Sequence, residues 1–139
     1  MKKIVLFLVF LFSLSLYANY ESDLLGRMKT VDQKSDSMFQ SAQTTVEMLN
    51  ALSYASNEWD AELNKVYKAL MAKLSKDGQN SLRNVQRNWI KERDKKIAQE
   101  LEYGGTMSSV NGSSVFLTET KKRTLELAKS YDKLSTGKK

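Results

Sequence analysis

The chain has 139 residues with no cysteine, histidine or proline, and its 22 basic and 16 acidic side chains give a formal charge of +6. Lacking His and Cys, it has neither the usual zinc ligands nor the common nucleophile–base pairs, and no disulfide can staple it. A chain of this size holds one domain with a modest core, stabilised by apolar packing alone.

Met1-Lys2-Lys3, the apolar run Ile4–Leu16 and the small residue Ala18 have the order of a secretory signal peptide, residues 1–18. The run is shorter than the roughly 20 residues a membrane-spanning helix needs. Cleavage after Ala18 and a periplasmic or secreted location are therefore expected, the membrane being met only through this segment. No cysteine follows the run, so a lipid-modified N-terminus is excluded. Cleavage removes two lysines and leaves 20 basic against 16 acidic residues, a charge of +4. A sequence pI near 9.4 would suggest nucleic acid for a cytoplasmic chain. An exported one rarely meets it, and no nucleic-acid partner is expected.

Apolar periodicity predicts an N-terminal helix over about Glu21–Gln40, within a segment 19–43 whose Gly26 and polar run Asp32–Ser37 weaken it. Thr44 and Glu47 form a capping box, from which a long helix continues to about residue 75. Ser75–Asn80 is a turn with Gly78 as pivot, and a third helix ends near Glu102 at Gly104-Gly105. The small-residue stretch 104–114 is expected to be loop, with Asn111-Gly112-Ser113 as a turn within it. A last helix covers about Phe116–Leu134, and residues 135–139 form a disordered tail. The expectation is an all-α fold: an antiparallel bundle of three main helices plus a possible N-terminal one, with the principal domain over 44–134.

On the third helix, Leu82, Val85, Trp89, Ile90, Ile97 and Leu101 share an apolar face, with Gln86 and Arg93 in its middle. A buried guanidinium needs a partner, and Asp94 points elsewhere on the wheel. The long helix offers Asp60, Asn64 and Tyr67 beside its own apolar centre, so these five residues are expected to form a polar cluster between the two helices. Two roles are open for it: fixing helix register, or shaping a recognition site. Glu92 and Asp94 diverge around their helix, as do Asp60 and Glu62. No catalytic carboxylate pair, metal site or cofactor is indicated, and the chain is not expected to be an enzyme. Lys95-Lys96 and Lys121-Lys122-Arg123 are expected to be solvated faces.

Four motifs in order now suggest a family: Ala61–Leu70, Val85–Asp94, Gly104–Met107 and Thr120–Leu127. They resemble the LprI-like family, small exported bacterial helical domains named for a lysozyme inhibitor. The resemblance rests on Leu63, Asn64 and Tyr67; on Gln86, Arg87, Trp89, Arg93 and Asp94; on Gly104 and Gly105; and on Thr120 and Arg123, with Asp60 at an acidic position before the first motif. It spans about Thr44–Leu127. Family members often carry cysteines where this chain has Ala51, Ile97 and Val115 or Ser113, so packing must replace those staples.

The resemblance implies a non-catalytic exported protein that occludes the sugar-binding cleft of lysozyme. The stretch holding Gly104, Gly105, Thr106, Met107 and Asn111 is the candidate partner-binding loop, since such loops often enter clefts. A basic lysozyme calls for an acidic patch, for which Glu58, Asp60 and Glu62 with Glu92, Asp94, Glu100 and Glu102 are candidates. The alternative is a periplasmic envelope module that binds another protein or peptidoglycan without inhibition.

Overall fold

Side chains placed at the helix starts set the element boundaries. The computed structural model describes residues 19–137 as α1 (Tyr20–Ser41), α2 (Thr45–Lys73), α3 (Lys76–Glu102) and α4 (Thr106–Ser135). The expected signal peptide, and Lys138 and Lys139 of the expected tail, lie outside the described residues. Asn19 caps α1 by accepting from the Ser22 amide, and Ser75 caps α3 by accepting from that of Gly78. The capping box at Thr44 is present. Its hydroxyl accepts from the Glu47 amide at 3.2 Å, and the Glu47 carboxylate accepts from the amides of Thr44 at 3.1 Å and Gln43 at 2.7 Å. No described helix is long and apolar enough to cross a membrane.

All described elements are helical, giving the all-α antiparallel bundle expected, with α1 a full member. The largest interface is between α2 and α4; α1 lies across both, while α3 packs along α4 and only grazes α2. Leu24 and Met28 of α1, Leu52, Ala55, Trp59, Leu63, Val66 and Leu70 of α2, and Val110, Leu117, Leu127 and Ala128 of α4 make the core. Trp59 is its largest side chain, and its indole N–H donates to Asp32 of α1 at 2.8 Å. The N-terminus of α1 is docked by Asp132 of α4, whose carboxylate accepts from the amides of Tyr20 at 2.8 Å and Glu21 at 3.1 Å. That bond pair satisfies free helix-end donors and sets negative charge at the positive end of the helix dipole.

Two sequence expectations need correction. The stretch 104–115 is not a loop: only Gly104 and Gly105, at φ of 67° and 82°, form the turn, and α4 begins at Thr106. Its small residues serve close packing, since Val110 and Ser108 are buried and Gly112 lies against Ile97 and Leu101 of α3. Asn111 and Gly112 are therefore within a helix, not at a turn. Secondly, the apolar face of α3 is not core. No residue of α3 is fully buried, and Val85, Ile90 and Leu101 are exposed, because α4 covers the helix from one side only. Trp89 and Leu82 are half-buried against the core. Ala51 is wholly buried, and Ile97 packs on Gly112.

Candidate functional site

Where α3 stands away from α2, an open cleft of about 490 Å³ remains, and the polar residues singled out from the sequence line it. Asp60, Asn64 and Tyr67 come from α2; Gln86, Arg87, Trp89 and Arg93 come from α3. The predicted set is thus brought to one place, but it borders solvent and does not bond across the gap. Within α2, Asn64 donates its amide to the Asp60 carboxylate at 3.1 Å and to the Asp60 carbonyl at 2.9 Å.

Arg93 finds its carboxylate on its own helix, correcting the expectation that Asp94 could not serve. Its Nε and one terminal nitrogen both donate to Asp94 Oδ1, at 2.9 and 2.8 Å. The long arginine side chain can meet that of the next residue in sequence, so backbone angles alone misjudge the pair. The guanidinium also lies between aromatic rings, 5.0 Å from the Trp89 centroid and 4.6 Å from that of Phe116 on α4. Gln86 is held from α4: its side-chain carbonyl accepts from Arg123 Nε at 2.9 Å, while Arg123 also pairs with Glu126. Arg123 and Lys121 are accordingly partly buried and paired rather than on a freely solvated face, Lys121 with Asp32 at 2.7 Å above the Trp59 ring. Lys96 also departs from a purely solvated face and pairs with Glu119 at 2.8 Å. Thr120 is wholly buried on α4, and its hydroxyl has no partner among the described residues.

Charge is segregated along the bundle. From Ser35 to Asp60 and from Ile97 to Thr120 the chain has no Lys or Arg, but seven acidic residues: Asp36, Glu47, Glu58 and Asp60, then Glu100, Glu102 and Glu119. Antiparallel packing brings the parts of both stretches nearest the α1–α2 and α3–α4 connections to one end, while Asp60 and Glu119 lie midway along α2 and α4, Glu119 paired with Lys96. A groove of about 440 Å³ there joins Ser53 and Asn57 of α2, Leu101 of α3 and Ser109 of α4, placing the three helices at one level. At the tip, the Gly104–Gly105 turn presents Tyr103, which is 83 % exposed, next to the half-exposed Met107 and Leu101. The expected partner-binding residues therefore lie on a tight turn and the first turns of a helix.

The acidic patch proposed from the sequence is only partly the one found. Glu62 is buried and pairs with Arg27 of α1 at 3.0 Å and Lys65 at 2.8 Å. Burial opposes its ionisation, but hydrogen bonds from Lys65 and Arg27 outweigh that and hold the carboxyl below its ordinary range. Asp94 is taken by Arg93, and Glu92 stands among Lys91, Arg93, Lys95 and Lys96. Glu58, Glu100 and Glu102 belong to the two stretches without Lys or Arg, whereas Asp60, at the limit of its stretch, lines the α2/α3 cleft beside three arginines. Sequence reasoning missed Asp32 and Asp132 and gave Glu62 a different role; each bonds a helix remote in sequence, and no local spacing signals such pairs.

Residues 36–127 match the model of the family described as lysozyme inhibitor LprI, about two thirds of the chain. The matched span begins near the end of α1 and stops before the end of α4. No curated protein and no solved structure matches the chain.

Proposed function

The chain belongs to the lysozyme inhibitor LprI family, and from that membership we propose that it is an exported, non-catalytic ligand that covers the substrate cleft of a lysozyme with its acidic end. The observation that carries this reading is the segregation of charge. A chain that keeps a charge of +4 after the expected cleavage could not approach a basic enzyme by its overall field, but the two stretches without Lys or Arg offer it a negative face. On that face Tyr103 and Met107 supply the exposed aromatic and flexible apolar side chains that anchor protein interfaces. The turn below them needs two left-handed glycines, which fixes how they are presented.

The test is lysozyme turbidity clearing in the presence of the purified protein, with the enzyme types assayed in parallel. Inhibition should weaken as salt rises, and the double reversal Glu100→Lys/Glu102→Lys should cost about tenfold or more in potency with the helical content kept. No inhibition by the unmodified protein at micromolar excess, across several lysozyme types, would reject the reading.

A further inference from the structure

We propose that the α2/α3 cleft is a second binding site, for a saccharide that carries a carboxylate. It lies on the basic part of the bundle, and nothing in it depends on the inhibitor reading. Three guanidinium groups line it, those of Arg83, Arg87 and Arg93, against the lining carboxylate of Asp60 and that of Asp94 bonded to Arg93, which leaves one cation in excess. That balance is wrong for a basic enzyme and right for an anion, for which arginine gives planar, paired donors.

Some groups around the cleft are already positioned and others are unspent; Arg83 donates to Asn80 at 2.7 Å. Arg93 is locked by Asp94, Trp89 and Phe116, so its place is set before any ligand arrives. Arg123 occupies the carbonyl of Gln86, which leaves the amide N–H groups of Gln86 as the free donors. Asn64 spends its amide nitrogen on Asp60, which leaves its carbonyl as a free acceptor. Arg87, the Tyr67 hydroxyl and the Trp89 indole N–H have no hydrogen-bond partner among the described residues. Donors and acceptors next to two aromatic rings, in a concavity within the size range of ligand sites, match the mixed polar edge and apolar face of a pyranose. An acidic peptide fits less well. The cleft walls are helices whose backbone groups are already bonded, so they offer no strand edge, and the polar middle interrupts the apolar stripe that a docking helix needs.

Tryptophan fluorescence gives the readout, because Trp59 is buried while Trp89 borders the cleft. The purified protein is titrated with the disaccharide of N-acetylglucosamine and N-acetylmuramic acid, with trigalacturonate, with neutral chitotriose, and with a Glu-rich peptide. A saturable change with at least one acidic sugar, about tenfold weaker with chitotriose, is expected. Which acid binds tells a wall glycan from a uronate polymer. Arg87→Gln and Asn64→Ala, both at exposed positions, should each weaken that binding several-fold while circular dichroism and lysozyme inhibition stay unchanged. Binding of neither acidic sugar at millimolar concentration, binding of the peptide in their place, or binding indifferent to both substitutions would each overturn the proposal.

Discussion

Arg123 of α4 donates from Nε to the side-chain carbonyl of Gln86 on α3 across 2.9 Å, and so ties the wall of the α2/α3 cleft to the centre of the bundle. Because α3 buries no residue completely, such polar ties matter more to its placement than they would for a core helix. Arg123 is itself well covered, at 11 % side-chain exposure. Replacing it by Met removes the bond and leaves the Gln86 carbonyl to water. A loss of about 1–2 kcal/mol in urea unfolding is expected, with faster amide exchange along α3 than along α2. Equal exchange in both helices would show that apolar contact alone holds α3.

The glycines at the α3–α4 connection should respond in opposite directions. A methyl group on Gly112 would meet Leu101 and Ile97 at 3.4 and 3.5 Å, ordinary contact distances, in the middle of a helix. Gly112→Ala should then stabilise by up to about 1 kcal/mol through helix propensity. Gly104→Ala and Gly105→Ala force a side chain into the left-handed region, at φ of 67° and 82°, and should each destabilise by about 1 kcal/mol. Thermal unfolding of the three variants checks the contrast.

Thr120→Val should raise stability. The threonine hydroxyl is buried without a partner among the described residues, and valine keeps the branched shape. Removing that desolvated group is expected to gain about 1 kcal/mol, seen as a rise in Tm of a few degrees. A fall in Tm would mean that the hydroxyl holds a bound water.

Acid should weaken the α1–α2 contact through Glu62. Its carboxyl is held below the usual glutamate value of about 4.3, so folding favours the ionised form. The resulting stabilisation is complete above that value and is lost as pH falls through the lower folded-state value. Glu47, held down by the amides of Gln43 and Thr44, acts in the same direction. Glu62→Gln should cost about 1–2 kcal/mol near pH 7, a modest figure because Arg27 and Lys65 are at least half exposed. The gap from the unmodified protein should close below about pH 4 in urea titrations. A gap independent of pH would assign the cost to shape rather than charge.

Much of the fold was legible because local rules decide it. The capping box at Thr44 and Glu47 and the glycine pair at 104–105 follow from residue type and spacing, but the turn expected over Ser75–Asn80 is shorter: Ser75 caps α3, which starts at Lys76, so Gly78 lies in its first turn and is no pivot. The start of α4 was misjudged for a physical reason: Ser108, Gly112 and their neighbours have the composition of a loop, yet they are small because α3 passes close by. The site was legible as a set of residues. Asp60, Asn64, Tyr67, Gln86, Arg87, Trp89 and Arg93 line one cleft that is open to solvent.

By itself the sequence determined the helices, their caps, the family motifs and the two stretches without basic residues, since each depends on neighbours within a few positions. Tertiary structure alone decided that α3 leans on α4 rather than α2, which turns an expected buried cluster into a cleft. It likewise decided that parts of two acidic stretches far apart in the chain meet at one end, and that Asp32, Glu62 and Asp132 bond residues 27 to 112 positions away. Those outcomes depend on which faces compete for burial, and a helical wheel ranks the faces of one helix without ranking its partners.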